Sequence, residues 1–345
     1  MQAMMFVGPE SLVLQEMGKP QCENTGILVK VEACGICGSD IRNYHTGLRG
    51  DVKEQIMGHE IAGIVEEVGD SVSSFSVGDY VAIAPDVSCG RCVYCQEGLV
   101  NLCTDHRMIG THWPGGFAQY IHLNDTILTR GMVHHMPEGL GFQEATIAEP
   151  AASVLAAQAN AEVSLGDTVV IIGDGPIGCL HVEIARARGA SRVIMAGLDR
   201  LALAAQFEPD YIIDAAHQDP VKEVLRITNG FGADVVITAN SVAETQAQAV
   251  EMARKRGKVV LFGGLPKNKP MTILNSNLIH YRELKVIGSF SYPASMHRMA
   301  LELIADGKIQ AGKYITKTVP LKDVALGIAH AKAGKVLKAI VTPWA

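Results

Sequence analysis

The sequence predicts an α/β protein of two domains, one built on a doubly wound parallel sheet and one of irregular, β-rich structure. Three observations lead there. The chain has 345 residues, about twice a usual domain of roughly 100–200 residues. From Thr168 onward, short apolar runs alternate with helix-forming stretches, as strands joined by crossover helices do. Before Ala145 the texture differs, with short β-branched runs separated by glycine-dense connections. Hydrophobic residues make up 48% and charged residues 19%, enough apolar material for large cores and unlike a disordered chain.

In chain order, the stretches 27–32 and 61–68 read as strands, each closed by a glycine or aspartate turn. Gly35, Gly38, Gly47, Gly50 and Gly58 crowd the connections, and a cysteine cluster occupies 89–103. The Ala-rich segment 145–161 favours helix, with few breakers after Pro150. Thr168–Ile172 is a continuous apolar run, the mark of a strand buried on both faces. Strands are then expected at 192–196, 211–214, 234–238, 258–262 and 284–288, with helices at 178–188, 201–207, 219–228 and 242–256. The tail carries helical stretches at 295–305 and 323–333 and a closing strand at 338–342.

Charge and cysteine usage narrow the function classes. Thirty Lys plus Arg against 36 Asp plus Glu give a net charge of −6, which speaks against nucleic acid or an anionic membrane as partner. No apolar run approaches the ~18 residues of a membrane span. Residues 1–9 have neither a basic nor a long apolar stretch, so no secretory leader is expected and the cytoplasm is the expected compartment. The eight cysteines then read better as metal-holding thiolates than as a disulfide framework.

Gly173, Gly175 and Gly178 form a G-x-G-x-x-G turn, with Pro176 and Ile177 inside it, directly after the buried strand and before a helix. In that context the glycines let a pyrophosphate approach the helix N-terminus, where free N–H groups favour anions. A bare glycine turn in a sheet protein is the plainer alternative. About 20 residues further on, where an acid usually reads the adenosine ribose, stands Gly197, followed by Asp199 and Arg200. Glycine removes the bar to a 2′-phosphate and Arg200 could pair with one, while Asp199 could reach the ribose hydroxyls. NAD and NADP both stay open.

Cys89, Cys92, Cys95 and Cys103 supply four thiolates in one compact loop, the pattern of a closed structural zinc site. An iron–sulfur cluster or plain buried cysteines compete less well with one isolated set of four. Cys37, His59, Glu60 and Glu149 form a second constellation. Singly each is weak, since a lone His is more often structural and a lone Cys a small buried hydrophobe. Together they offer sulfur, imidazole and carboxylate, a set suited to zinc with one position left open. Such a zinc is a Lewis acid that lowers the pKa of a hydroxyl, as hydride-transfer chemistry requires. Cys34 and Cys37 also make a C-x-x-C, but the glycines on both sides are unlike a redox pair opening a helix.

These motifs, in this order over essentially the whole chain, resemble the zinc-dependent medium-chain dehydrogenases. Glu149-Pro150 looks more like the sorbitol (L-iditol) and other polyol dehydrogenases than the alcohol dehydrogenases. The resemblance implies a GroES-like zinc-binding catalytic domain from residues 1–152 and 291–345, and a Rossmann domain from 153–290. It implies two zinc ions per chain, NAD or NADP, and a homo-oligomer, for which 272–274 and 284–287 are candidate edge segments. It makes Cys37 and His59 ligands of the catalytic zinc, and gives Glu60 and Glu149 the task of binding it directly or holding its water. Asp40 would orient the ligand His, and Ser39 would take the substrate proton; Arg42 stands where alcohol dehydrogenases continue the relay with His. Tyr44, Thr111, Trp113, Phe117, Phe290 and Tyr292 fall at positions that line the substrate cleft in that family. Phe290-Ser-Tyr292 lacks the Arg that sorbitol dehydrogenases carry between these aromatics.

The expected activity is therefore reversible oxidation of a secondary hydroxyl on a polyol, sugar or cyclitol, with hydride passing to the nicotinamide. A secondary-alcohol, butanediol or threonine dehydrogenase on the same scaffold is the alternative. A non-catalytic nucleotide-binding relative fits less well, because the metal-binding set is intact. Cys22, Cys34 and Cys179 are left as buried or free thiols.

Overall fold

The computed structural model describes residues 1–50 and 52–345. It divides into two compact units, one of Met1–Ala152 with Tyr292–Ala345 and one of Ser153–Ser291.

The first unit is organised around the strand Ile27–Gly35, which pairs antiparallel with Glu60–Val68, Tyr120–Leu123 and Lys338–Thr342 in a seven-stranded sheet. Ile27, Leu28, Val29, Val31, Ala33 and Cys34 are all fully buried. That is why the run reads as continuously apolar rather than alternating. Register shifts at Leu28/Val29 and Val31/Ala33 mark bulges, which bend and twist a strand and let both of its faces be covered. The last strand of the chain returns to the site end of this one, with Ile340 opposite Gly35 and Val341 opposite Cys34. Behind it packs the helix Val324–Lys332. The indole N–H of Trp344 donates to the Val31 carbonyl at 2.8 Å, and Lys30 lies 4.8 Å from the indole ring centre, tying down the terminus.

The second unit is a six-stranded parallel sheet in the spatial order Tyr211–Asp214, Arg192–Gly197, Thr168–Ile172, Ala233–Thr238, Ala253–Leu261, Lys285–Gly288. The central strands are dry: Val169, Val170, Ile171, Val193, Ile194, Val235 and Val236 have no exposed surface. The strand order reverses on either side of Thr168–Ile172, making its carboxyl end the switch point where doubly wound sheets bind ligands.

Some boundaries differ from expectation. The helix expected over 242–256 ends at Met252, and the strand begins at Ala253. Ala253 pairs with Ala233, but the next partners are Lys258 and Val235, so the intervening residues form a bulge with Arg256 at a φ of 60°. An ion pair from Arg254 to Asp234 fastens that bulge to the neighbouring strand. The helix expected over 145–161 is two pieces, Phe142–Ala145 and Ala148–Asn160. Residues 272–274 form no strand; Lys285–Gly288 is the sheet edge. Among the described residues no helix is long and apolar enough to cross a membrane.

Two histidines are sealed in the interior. Burial pushes both His181 and His297 down to about 3. The His181 Nδ1 lies 3.1 Å from Gln158 Nε2, and the His297 Nδ1 2.8 Å from His134 Nδ1. Each stays neutral in the folded chain while the unfolded chain takes up a proton near pH 6.5. Stability is thus complete above that pH and falls as pH drops towards 3. For His181 alone the loss from pH 7.5 to 5.5 is about 1.4 kcal/mol. Urea unfolding of a His181→Leu variant should show a pH dependence shallower by that amount; an unchanged slope would show that His181 is charged in the fold.

Candidate active site

The site begins at the N-terminus of the helix Gly38–Thr46, where Cys37 is the N-cap residue. Asp40, buried at the third helical position, does two things. Its Oδ2 accepts the Cys37 N–H at 2.9 Å, satisfying a helix-end donor. Its Oδ1 lies 3.3 Å from His59 Nδ1, which turns Nε2 of the ring towards Ser39, whose Oγ is 3.3 Å away. His59 sits just before the strand Glu60–Val68, so one strand start presents both His59 and Glu60. A sulfur of Cys37, a ring nitrogen of His59 and a carboxylate oxygen of Glu60 all lie within 4.8 Å of one another.

The Glu60 carboxylate is fully buried and occupies space that only a glycine leaves open, since a Cβ on Gly35 would collide with Oε2. Both its oxygens accept from Lys338 Nζ, at 2.6 and 2.8 Å, and the same ammonium donates to the Ile36 carbonyl at 3.4 Å. Burial works against the Lys338 charge, yet Glu60 and Cys37 hold its pKa above the ordinary value. Lys338 escapes sequence reasoning because a lysine opening a tail strand looks like a surface residue. Its one signal is position: it is the only charged residue in the apolar run 338–342.

Glu149 is the fourth member. Its Oε1 accepts the Tyr292 hydroxyl at 2.8 Å, and burial pushes its pKa up to about 7 against the pull of His59. Burial and Glu149 together raise the Tyr292 phenol well above its usual range. Glu149 is outside the set converging within 4.8 Å. At His59, burial alone would lower the pKa, but Asp40 and Cys37 carry it well above the usual value. The cluster therefore favours positive charge, and its sulfur, imidazole and carboxylate donors fit zinc.

The second cysteine set has the spacing of a closed site. Cys92 Sγ lies 3.5 Å and Cys89 Sγ 4.0 Å from Cys95 Sγ, against about 3.8 Å between sulfurs on a tetrahedron with zinc–sulfur bonds of about 2.3 Å. Backbone N–H groups point at the sulfurs, from Cys89 to Cys103 at 3.1 Å and from Cys92 to Cys89 at 3.4 Å. N–H donors from Thr104 and Cys95 bring the Cys92 thiol down to about 6, whereas burial lifts Cys103 to about 12. All eight cysteines are free thiols.

In the second unit, Gly173 follows the central strand and Gly175 caps the helix Pro176–Ala187, with Pro176 at its first position and Ile177 next. A Cβ on Gly178 would strike the Gly173 carbonyl, so the turn closes only around glycine. Gly197 is buried at the end of Arg192–Gly197, Asp199 is exposed and Arg200 half-buried.

The aromatic positions scatter. Tyr292 is on Glu149, and Phe117, fully buried, backs onto Gly58 beside His59. Tyr44 donates to the Glu10 carbonyl at 3.0 Å, and Thr111 is buried. Trp113 lines a cavity of about 250 Å³ beside the cysteine loop with Arg91, Arg107 and Arg130. Phe290, half exposed, belongs to the second unit.

Comparison with known proteins settles the family. The alcohol dehydrogenase GroES-like domain matches residues 23–138, and the zinc-binding dehydrogenase domain residues 176–306. The sorbitol dehydrogenase of Bacillus subtilis (strain 168) is 34% identical, covering 99% of this chain and 97% of the relative. The chain belongs to the zinc-binding dehydrogenases. The D-arabitol-phosphate dehydrogenase of Enterococcus avium is 33% identical over 97% of this chain and 94% of its own. A zinc-binding dehydrogenase from Sinorhizobium meliloti 1021, solved bound to NADP, superposes with a TM-score of 0.92 at 34% identity, covering 99% of both chains. The dehydrogenase is accordingly a zinc-dependent oxidoreductase that oxidises a secondary hydroxyl with hydride transfer to NAD(P).

Removing one partner of a buried ion pair strands the other charge, at a cost of about 3–5 kcal/mol. Lys338→Met should destabilise the dehydrogenase by that amount in urea unfolding, and Glu60→Gln with Lys338→Met should recover most of it. A single variant as stable as wild type would show that Glu60 does not depend on Lys338.

Proposed function

We propose that Cys37 and His59 hold the catalytic zinc while Glu60 and Glu149 stand behind them, and that the substrate is a polyol, sugar alcohol or cyclitol. The observation that carries this is the pairing of each carboxylate with its own buried partner, Glu60 with Lys338 and Glu149 with Tyr292. Cys37 and the Nε2 of His59 are left to point at the shared space. When bound, the zinc polarises the substrate oxygen and the nicotinamide accepts the hydride. Asp40 keeps the His59 ring in one tautomer and one orientation. Ser39 Oγ accepts a hydrogen bond from the substrate hydroxyl and, as that proton arrives, hands its own on to solvent. Tyr292 holds Oε1 of Glu149, leaving Oε2 to accept a hydrogen bond from a neighbouring substrate hydroxyl, which is what a polyol offers and a simple alcohol lacks.

Cys89, Cys92, Cys95 and Cys103 hold the second zinc, which keeps its loop folded and leaves no open position. The Gly173–Gly178 turn takes the pyrophosphate. Eight free thiols support a reducing, cytoplasmic setting. The edge strand Lys285–Gly288, near the exposed Ile273, Met271 and Tyr281 in sequence, supports a homo-oligomer joined through this unit; equilibrium sedimentation would return a monomer mass if that were wrong.

Elemental analysis should find two zinc ions per chain, and Cys37→Ser should lose one of them, and all activity, while the other stays bound. One ion in the wild type, or an active Cys37→Ser enzyme, contradicts the assignment. In a cofactor-reduction panel, sugar alcohols and cyclitols should be oxidised faster than 2,3-butanediol or threonine; the reverse order moves the enzyme to the secondary-alcohol reading.

A further inference from the structure

Three arginines that the dehydrogenase chemistry does not use converge on one place. The cavity of about 250 Å³ beside the cysteine loop is walled by Arg91, Arg107 and Arg130, in a chain whose net charge is −6. Separate segments deliver them. Arg91 stands in the cysteine loop itself, Arg107 in the short strand Arg107–Met108, and Arg130 ends the helix Asp125–Arg130. Two of them are visibly held in place. Arg107 is paired across the strands with Val87. The Arg130 carbonyl accepts the Ser88 N–H at 3.1 Å and the Ser88 hydroxyl at 3.4 Å. Its side chain lies across Gly90, where a Cβ would be 3.5 Å from Arg130 Cδ and Nε.

Guanidiniums gathered round one cavity repel one another unless an anion stands between them. The wall supplies one carboxylate, Asp105. Its Oδ1 lies 3.3 Å from Arg107 Nε, which leaves the terminal nitrogens of that guanidinium to other partners. Arg91 and Arg130 make no ion pair among the described residues. The cysteine loop is the other source of negative charge, but its sulfurs take backbone N–H groups, and Cys89 is the member of the four that lines the cavity. The volume equals about eight waters at ~30 Å³ each, below the roughly 300–1,000 Å³ of sites for larger organic ligands. The same wall carries the half-buried indole of Trp113 and the hydroxyl of Thr126, a flat apolar face and a further donor.

We infer that this cavity is an anion site, made of residues that neither the Cys37–His59 constellation nor the glycine-rich turn uses. It takes a small phosphate monoester, with Arg91, Arg107 and Arg130 on the phosphate and Trp113 against the apolar part of the ester. Charge selects the class. Three guanidiniums against one carboxylate leave two positive charges, and a phosphate monoester brings close to two negative ones at neutral pH, whereas a carboxylate brings one. Geometry agrees, because the planar guanidinium fork matches phosphate oxygens in pairs.

Isothermal titration of the full-length, zinc-loaded protein tests it, with phenyl phosphate, inorganic phosphate and phenol as probes. Phenyl phosphate should bind, inorganic phosphate about fivefold more weakly for want of the ring, and phenol not at all. Both phosphates should weaken as salt rises. Arg107→Gln and Arg130→Gln should each cost at least about tenfold for both phosphates, and Arg130→Lys should recover part of that loss. Trp113→Leu should remove the advantage of phenyl phosphate while inorganic phosphate binds as before. Zinc content should stay at the wild-type value in every variant. Phosphate affinities that both Gln variants leave unchanged would place the anion elsewhere, on the glycine-rich turn for instance, and overturn the proposal. A wild-type protein that binds neither phosphate overturns it too, and zinc lost from the Gln variants would then show that the arginines serve only to balance the thiolates.

Discussion

The arrangement of the catalytic unit hangs on one buried ion pair. Lys338 and Glu60, 278 residues apart in sequence, meet where the last strand of the chain lies beside Ile27–Gly35. Neither charge is tolerable in that interior alone. Their pairing requires the tail to return, Gly35 to leave room for the carboxylate, and the strand starting at Glu60 to keep its register. His59 is carried along by the same register, and Asp40, tied to Cys37 and to His59, closes the loop between the first helix and this strand. The donors are thus placed by backbone elements rather than by flexible loops, which is what a site needs if its groups are to stay in place during reaction.

The two metal sites divide the chemistry by how completely their donors are used. In the cysteine loop four sulfurs face one another and backbone N–H groups stabilise the thiolates, so nothing remains to exchange. Around Cys37 and His59 the carboxylates are present but each is held by a neutral or cationic partner. On the assignment proposed above, a negative site with two donors facing inward would accept a metal and still leave it reactive. The burial that raises Glu149 comes from the same packing that seats Tyr292.

Much of this was legible in the sequence, for a physical reason. The parallel sheet showed because strands buried on both faces need unbroken apolar runs, and Thr168–Ile172 has one. The glycine turn and the four-cysteine loop showed because their chemistry is local, with all the needed residues within a few positions. Cys37, His59 and Glu60 are unremarkable singly and pointed to zinc only as a mixed donor set, with the resemblance supplying the role of each. Lys338 was hard to read: its role depends on a partner 278 residues away, and its one local signal is that it opens an otherwise uncharged apolar run. The helix expected to reach 256 stops at Met252 because the chain from Ala253 joins the parallel sheet beside Ala233–Thr238, a tertiary pairing that overrides the local preference of an alanine- and arginine-rich stretch.

The most direct test of the central claim, that two donors face the catalytic metal while both carboxylates are held behind it, is anomalous diffraction at the zinc edge from crystals of the dehydrogenase. The account predicts one peak among Cys89, Cys92, Cys95 and Cys103, and a second about 2.3 Å from Cys37 Sγ and about 2.0–2.1 Å from His59 Nε2, with Lys338 still on both oxygens of Glu60. A second peak coordinated through His59 Nδ1, or one that has drawn Glu60 away from Lys338, would contradict it.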